Sequence, residues 1–387
     1  MDDRGRQKHP RGLRVQKQYF TFAEPPHEMV LESGARLGPV TIVYETFGNL
    51  SKAKDNVVLI AHAFSGDSHV SGLYEGEPDD AGPGWWDSMV GPGKGVDTDR
   101  FFVICSNILG GCAGSTGPSS PNPVTGRPYS LDFPMVTIGD MVGAQKALLD
   151  HLGINKVVAV IGGSLGGMQA LEWSVRYPDM VRAVIPIATT MRHSALAIAF
   201  NEVARQAIMA DPNWNHGDYY GQTGPDMGLA VARMIGHVTY LSDQAMRRKF
   251  GRRLQDKKDF SFGFDIDFQV ESYLRHQGSK FVQRFDANSL LYITKASDYF
   301  DLVEQTAVGE SFQDLGLTKA KFLVVSYTSD WLYPTYQAKE LVQALKRADR
   351  NVSFCEIEAD CGHDAFLIPD ERLNNLVRGF LDGVAGK

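Results

Sequence analysis

The chain has 387 residues, with 39 Lys or Arg against 46 Asp or Glu for a net charge of −7, and it is 43% hydrophobic and 22% charged. These are the proportions of a folded globular protein. Its 21 Phe and 14 Tyr can fill a large core, which excludes disorder throughout, and 39 Gly without a fixed period exclude a collagen-like chain.

The acidic balance argues against a nucleic-acid partner. No apolar run approaches the ~20 residues of a membrane span. The basic start Arg4, Arg6, Lys8, Arg11, Arg14 is followed by polar residues instead of a signal-peptide core. A cytosolic protein with no membrane partner is therefore expected. Cys105, Cys112, Cys355 and Cys361 form no CxxC pair, so neither a disulfide framework nor a metal site is suggested. Cys361 lies two residues from His363, where a reactive thiol competes with a buried packing thiol.

In chain order, residues 1–18 alternate charge with Gly and Pro and read as a flexible tail. Short β-branched runs follow: Val40 to Tyr44, Val57 to Ala61, Phe101 to Cys105, Val157 to Ile161, Ala183 to Ile187, Phe322 to Ser326 and Val352 to Ile357. Each has the composition of a buried strand. Helix-period stretches separate several of them: Gly139 to Leu152, Leu165 to Tyr177, Thr335 to Arg347 and Asp370 to Leu381. Strands alternating with helices predict an α/β fold with a mostly parallel central sheet. Between Met191 and Leu315 the pattern turns helical (Ala195 to Met209, Leu229 to Leu241, Val270 to Gln277, Ala287 to Ser297). The expected division is a discontinuous core over 19–190 and 316–387 interrupted by a helical lid over 191–315.

The strand Val157 to Ile161 runs into Gly162-Gly-Ser-Leu-Gly166 and then into a helix. G-x-S-x-G alone is a weak signal, and an ordinary glycine-rich turn is the alternative. Strand before and helix after it mark a nucleophile elbow, whose glycines give room for a tight turn that exposes Ser164. A serine hydroxyl needs a base and an orienting acid to attack at neutral pH. Asp330 follows the strand Phe322 to Ser326, and His363 follows Val352 to Ile357. Parallel strands share their carboxyl ends, so both project toward the edge expected for Ser164. The order Ser, Asp, His is that of the α/β-hydrolase fold. Backbone N–H groups of Leu165 and Phe64 are the candidate oxyanion hole. The alternative is a plain turn with Phe64 in the core.

These residues, with several further blocks, resemble the homoserine O-acyltransferases of the α/β-hydrolase superfamily, and most closely its homoserine O-acetyltransferases. The blocks are Pro83-Gly-Trp-Trp-Asp87, Asn107 to Pro118, Gly162 to Trp173, Phe200 to Gln206, Arg284 to Asn288 and Cys361-Gly-His-Asp364, and the resemblance runs from about Tyr19 onward. It implies an acyl-enzyme at Ser164, acetyl-CoA and homoserine as substrates, no metal or other cofactor, methionine biosynthesis, and a homodimer formed through the lid. It places the substrate-binding arginine on Arg233, which already stands out in the apolar segment Leu229-Ala-Val-Ala-Arg-Met-Ile235. A buried guanidinium needs an anion, either the substrate α-carboxylate or a lid carboxylate. Tyr240, on the same helical face, is similar to a substrate tyrosine of the family or is a packing residue. Asp364 matches an aspartate that meets the substrate amine.

Leu332 stands where succinyl-using relatives carry arginine, which favours acetyl over succinyl as the group transferred. Homoserine O-succinyltransferase, an esterase or thioesterase of the same fold, and a non-catalytic interaction module are the rival readings. The arginines at 247, 248, 252 and 253 form a solvated face or a phosphate contact.

Overall fold

Eight strands, β1 (Gln18–Phe22), β2 (Val40–Phe47), β3 (Val57–Ala61), β4 (Phe102–Ser106), β5 (Ala159–Gly163), β6 (Ala183–Ile187), β7 (Lys321–Tyr327) and β8 (Val352–Ile357), form one sheet in the order β8-β7-β6-β5-β3-β4-β2-β1. The six strands from β8 to β4 run parallel, whereas β1 and β2 are antiparallel to their neighbours. The coordinates are a computed structural model that describes residues 13–386 except 79, 307, 308, 312 and 313.

The central strands are buried along their whole length because both faces are covered. Val57 and Leu59 of β3 pack into one cluster with α1 (Ile138–His151), α2 (Leu165–Arg176) and α8 (Thr335–Arg347). The alternate residues Val58 and Ile60 pack into a second cluster with Leu373, Val377 and Leu381 of α9 (Glu371–Ala385). The period-2 alternation of a strand therefore builds two cores from one sequence run. Helix starts follow local chemistry: Thr137 and Asp140 form a reciprocal capping box on α1, and Asp370 caps α9.

Between β6 and β7 the chain forms α3 (Ala195–Met209), α4 (Asp226–Tyr240), α5 (Asp243–Lys249), α6 (Gln269–Val282) and α7 (Ala287–Tyr299). α3, α4, α6 and α7 share a cluster of their own, including Ile208, Leu229, Phe281 and Leu290, with Phe64 and Phe285 packed against it. The short α5 was not expected from periodicity, and a two-stranded hairpin (Glu304–Thr306, Gly309–Ser311) closes the region that reads as helical. Residues 1–12 of the expected tail lie outside the described residues. The remainder departs from that expectation: Arg14–Val15 pair in parallel with Leu73–Tyr74, and Gln18 opens the edge strand β1. A tail that gains a strand partner is ordered by that pairing, which its own polar composition does not reveal.

The block Pro83 to Asp87 acquires a structural role here. Trp86 is buried, and its Nε1–H donates to the Phe366 carbonyl at 2.9 Å, while the two rings meet edge to face. Phe366 lies three residues after His363, so the indole supports the turn that carries the histidine. Trp86→Phe is expected to leave that buried carbonyl unpaired at a cost of about 1–3 kcal/mol. Thermal unfolding checks it, and an unchanged midpoint would contradict the assignment.

Candidate active site

The elbow is built by close approach. A Cβ on Gly162 would stand 2.2 Å from the Gly166 carbonyl oxygen, and one on Gly166 would stand 2.0 Å from the Ala61 oxygen. No side chain fits at either point. Ser164, between them, takes φ 56° and ψ −123°, a conformation that non-glycine residues rarely adopt. Its N–H donates to the Ile187 carbonyl at 3.0 Å, and its own carbonyl accepts from Thr189 Oγ1 at 2.8 Å. The strain at Ser164 is thus held by hydrogen bonds to β6 and the loop beyond it. Leu165 opens α2, so its N–H belongs to the first turn, which has no intrahelical acceptor.

Register decides what stands beside this turn. Ala61 of β3 pairs with Gly162 of β5, and Ile60 pairs with Cys105 of β4. The loop His62 to Gly66 therefore leaves the sheet next to Ser164, with Asn107 alongside it. His62 is buried and locks this loop, its Nδ1 lying 2.7 Å from the Ala63 carbonyl while Nε2 faces the Ile108 N–H at 3.2 Å and Asn107 Nδ2 at 3.3 Å. Burial pushes its pKa down, which suits a neutral ring donating from Nδ1 and accepting at Nε2. Sequence reasoning missed His62. Its signal was available, since His62 and Asn107 follow the ends of two adjacent strands. Phe64 stacks on Phe285 of the insertion, centroids 5.9 Å apart, and lines a small cavity of ≈ 80 Å³ with His62, Cys112 and Arg284.

His363 and Asp330 come together: Nδ1 of the imidazole lies 2.8 Å from Asp330 Oδ2, and both side chains are buried. Asp330 Oδ1 accepts the Leu332 and Tyr333 N–H groups at 3.0 and 2.9 Å, which fixes the carboxylate plane. The Ser164 side chain is among the groups that act on the buried Tyr333 phenol, whose ring lies 5.2 Å from that of His363. Phe366, 5.7 Å from His363 by ring centroid, occupies the space that a Cβ on Gly163 would enter. The turn bearing His363 is thereby packed onto the elbow bearing Ser164. Burial alone would lower the His363 pKa, but the charge and hydrogen bond of Asp330, with the charge of Asp364, outweigh it and raise the pKa above its ordinary 6.5.

The insertion brings the remaining candidates. Arg233 and Tyr240, seven residues apart on α4, lie on one face, with the guanidinium 5.6 Å from the Tyr240 ring and 4.6 Å from that of Phe281. Arg233 Nη1 reaches Ser65 Oγ at 3.4 Å, and Arg284 Nη1 donates to the Ser65 carbonyl at 3.0 Å. Burial and the Arg233 charge lower the Arg284 pKa, so two cations share one end of the site. Asp364 lies opposite in charge. Burial raises its pKa, and the fields of His363 and Arg233 oppose that rise. Tyr240 feels both Arg233 and Asp364, and its burial drives the phenol pKa up.

The end of α4 is pressed onto the histidine loop at Gly362 (φ +87°), where a Cβ would come within 2.5 Å of both the Tyr240 oxygen and the Ser242 nitrogen. Trp331 Nε1 donates to the Leu241 carbonyl at 3.0 Å and adds to this seam. Leu332 is half-buried against the core.

The arginines of α5 and of the segment after it are exposed and make contacts within the protein. Arg247 pairs with Asp243, Arg248 with Asp360, and Arg252 lies over Phe268. All four cysteines are free, and Cys361 Sγ meets Asp360 Oδ1 at 3.4 Å. Among the described residues, no group of three His, Cys, Asp or Glu is arranged to hold a metal ion, and no helix is long and apolar enough to cross a membrane.

An imidazole buried against the Asp330 carboxylate can act as a general base only when neutral. The rate of Ser164 acylation is therefore expected to climb as pH passes a value above 6.5. Asp330→Asn is expected to move that limb to lower pH, because burial then dominates at His363, and to cut the rate by roughly 10³–10⁴-fold. The pH profile of both proteins checks this, and a limb that does not move would contradict the pairing.

The alpha/beta hydrolase fold family model matches residues 56–370. The homoserine O-acetyltransferase of Desulfotalea psychrophila is 70% identical over 370 residues, covering 96% of this chain and 95% of that protein. That of Rhodospirillum rubrum is 57% identical, covering 92% and 90%. Among solved structures, homoserine O-acetyltransferase from Bacillus anthracis superposes with a TM-score of 0.87 at 30% identity, covering 96% of this chain and 98% of that one. Esterase E22 gives 0.85 at 32%, covering 95% and 100%. On these likenesses the chain belongs to the homoserine O-acetyltransferase family, within the α/β-hydrolase fold.

Proposed function

We propose that the protein moves an acetyl group from acetyl-CoA to the side-chain hydroxyl of L-homoserine by a ping-pong route through acetyl-Ser164, giving O-acetyl-L-homoserine and coenzyme A for methionine biosynthesis. His363 takes the Ser164 proton, and Oγ attacks the thioester carbon while Asp330 stabilises the imidazolium. The oxyanion is held by the Phe64 and Leu165 N–H groups. As the C–S bond breaks, His363 returns the proton to the departing thiolate. The homoserine hydroxyl then gives its proton to His363 and attacks the acetyl-serine, and Ser164 leaves with that proton. No metal or other cofactor is called for.

The observation that carries this reading is the opposed pair Arg233 and Asp364 flanking the histidine turn, each within the other's field. Arg284 also reaches Ser65, with the charge of Asp67 in its field, and the α-carboxylate of an amino acid would pair with the Arg233 guanidinium. The ammonium group would meet Asp364, leaving the substrate hydroxyl directed at the acyl-serine, with Tyr240 packed beside it. The half-buried Leu332 offers no charge to a succinyl tail, so acetyl is the group favoured. Helices over the site keep water from the acyl-enzyme. Exposed apolar residues of the insertion, among them Leu196, Val203, Met227 and Val231, suit a homodimer joined through that face. A cytoplasmic location goes with coenzyme A as donor.

The likeness to esterase E22 keeps one rival in view, in which water is the acceptor and neither Arg233 nor Asp364 is needed. Incubation with acetyl-CoA, following thiol release with and without homoserine, separates the two. Sustained release is expected only with homoserine and is expected to be much slower from succinyl-CoA; release indifferent to homoserine would favour the hydrolase. Arg233→Ala is expected to raise the homoserine KM by about 10–100-fold while sparing the initial acetyl-enzyme burst. Loss of the burst would show that Arg233 has a different role.

A further inference from the structure

Tyr333 is the inner end of a buried chain that the acyl-transfer mechanism does not use. His193, in the loop after β6, places Nε2 2.7 Å from the Tyr333 hydroxyl and Nδ1 3.2 Å from Asp298 Oδ1 on α7. Asp298 also accepts from Asn201 Nδ2 and Arg205 Nη1 of α3, each at 2.7 Å. The block Phe200 to Gln206, which the sequence marks without explaining, thus supplies two donors to one carboxylate. The His193, Asp298 and Arg205 side chains are only 4%, 7% and 4% exposed. Beyond Tyr333 lies Ser164, whose side chain acts on the phenol.

Burial would raise the Asp298 pKa, but the hydrogen bonds from His193, Asn201 and Arg205, with the Arg205 charge, hold it below the usual value. An ionised carboxylate only accepts, so His193 Nδ1 carries a proton. Nε2 then directs the phenol. As a bare nitrogen it takes the Tyr333 O–H and leaves the phenol oxygen as an acceptor for the Ser164 O–H at rest, a proton that must turn to His363 before attack; protonated, it turns the Tyr333 O–H onto Ser164 Oγ and leaves the serine proton to His363. In both states the contacts with the His193 and His363 rings hold the Tyr333 ring in place. A buried histidine and ion pair are costly beside apolar packing of the same volume, so stability alone does not account for them.

We propose that Tyr333 is a positioning residue for the Ser164 hydroxyl, its own hydroxyl oriented by the buried His193–Asp298 pair that α3 and α7 hold in place. The proposal rests on Ser164 being the nucleophile.

The test compares wild type, Tyr333→Phe, His193→Leu and the double variant for the rate of covalent labelling by a serine-reactive phosphonate and for kcat and KM, with thermal unfolding as the control for folding. Tyr333→Phe keeps the ring and removes only the hydroxyl. Each single variant is expected to label about tenfold more slowly and lose kcat in proportion at unchanged KM, the loss of one positioned hydrogen bond. The double variant is expected to be no slower than Tyr333→Phe, because His193 acts through that hydroxyl. A Tyr333→Phe protein that labels within twofold of wild type, or a double variant whose losses multiply, would overturn the proposal. Wild type that escapes labelling at Ser164 would overturn the nucleophile assignment and this inference with it, whereas normal wild-type labelling with indifferent variants removes this inference alone.

Discussion

Everything at the site depends on how closely three stretches of backbone approach at the end of β5. The turn can form only because Gly162 and Gly166 offer no Cβ to the neighbouring carbonyl oxygens, and the same crowding leaves Ser164 at positive φ. A residue held in that region costs about 1–3 kcal/mol and persists where surrounding hydrogen bonds overdetermine it. Here β6 supplies them, through the Ile187 carbonyl and Thr189. The strained turn directs Ser164 out of the sheet, starts α2 immediately behind it, and leaves the Leu165 N–H in the helix's first turn.

Electrostatics then divides the site into two ends. At one, His363 sits between a burial penalty and the field of Asp330, and the field wins. At the other, Arg233 and Arg284 converge on Ser65 while burial presses Asp364 toward its neutral form. Charges in such surroundings are expensive unless paired. An arrangement that holds two cations and an acid apart is suited to a bound zwitterion, whose two charges would offset both costs together.

The helical insertion is joined to the catalytic turns by short-range contacts that tolerate little change. Gly362 admits the backbone of residues 240–242, Trp331 holds the Leu241 carbonyl, and Arg248 pairs with Asp360. The α/β core thus provides Ser164 and the His363–Asp330 pair, while the insertion provides Arg233, Tyr240 and Arg284 and, through Asp298 and His193, reaches the core at Tyr333. Motion of the insertion would move both sets of contacts, since α4 carries Arg233 and Tyr240 while α3 and α7 carry the Asn201, Arg205 and Asp298 group behind Tyr333.

The order of strands and helices, the elbow at Ser164, and the loops bearing Asp330 and His363 were legible in the chain itself, because parallel strands share their carboxyl ends and the period of a buried strand or an amphipathic helix is written in local residue order. Arg233 stood out for a similar reason, as a charge within an apolar helical run. The hydrogen bond of the Tyr333 phenol to His193, the locking of the loop His62 to Gly66 by His62, and the pairing of Arg14–Val15 with Leu73–Tyr74 were not legible. Each of these joins segments 45 to 140 residues apart, through side-chain hydrogen bonds for the first two and through backbone pairing for the third, all brought together only by the register of the sheet and the packing of the insertion. Periodicity reports which face of an element is buried. Which polar group it meets there is decided by long-range packing, where an unpaired donor or acceptor is too costly to leave.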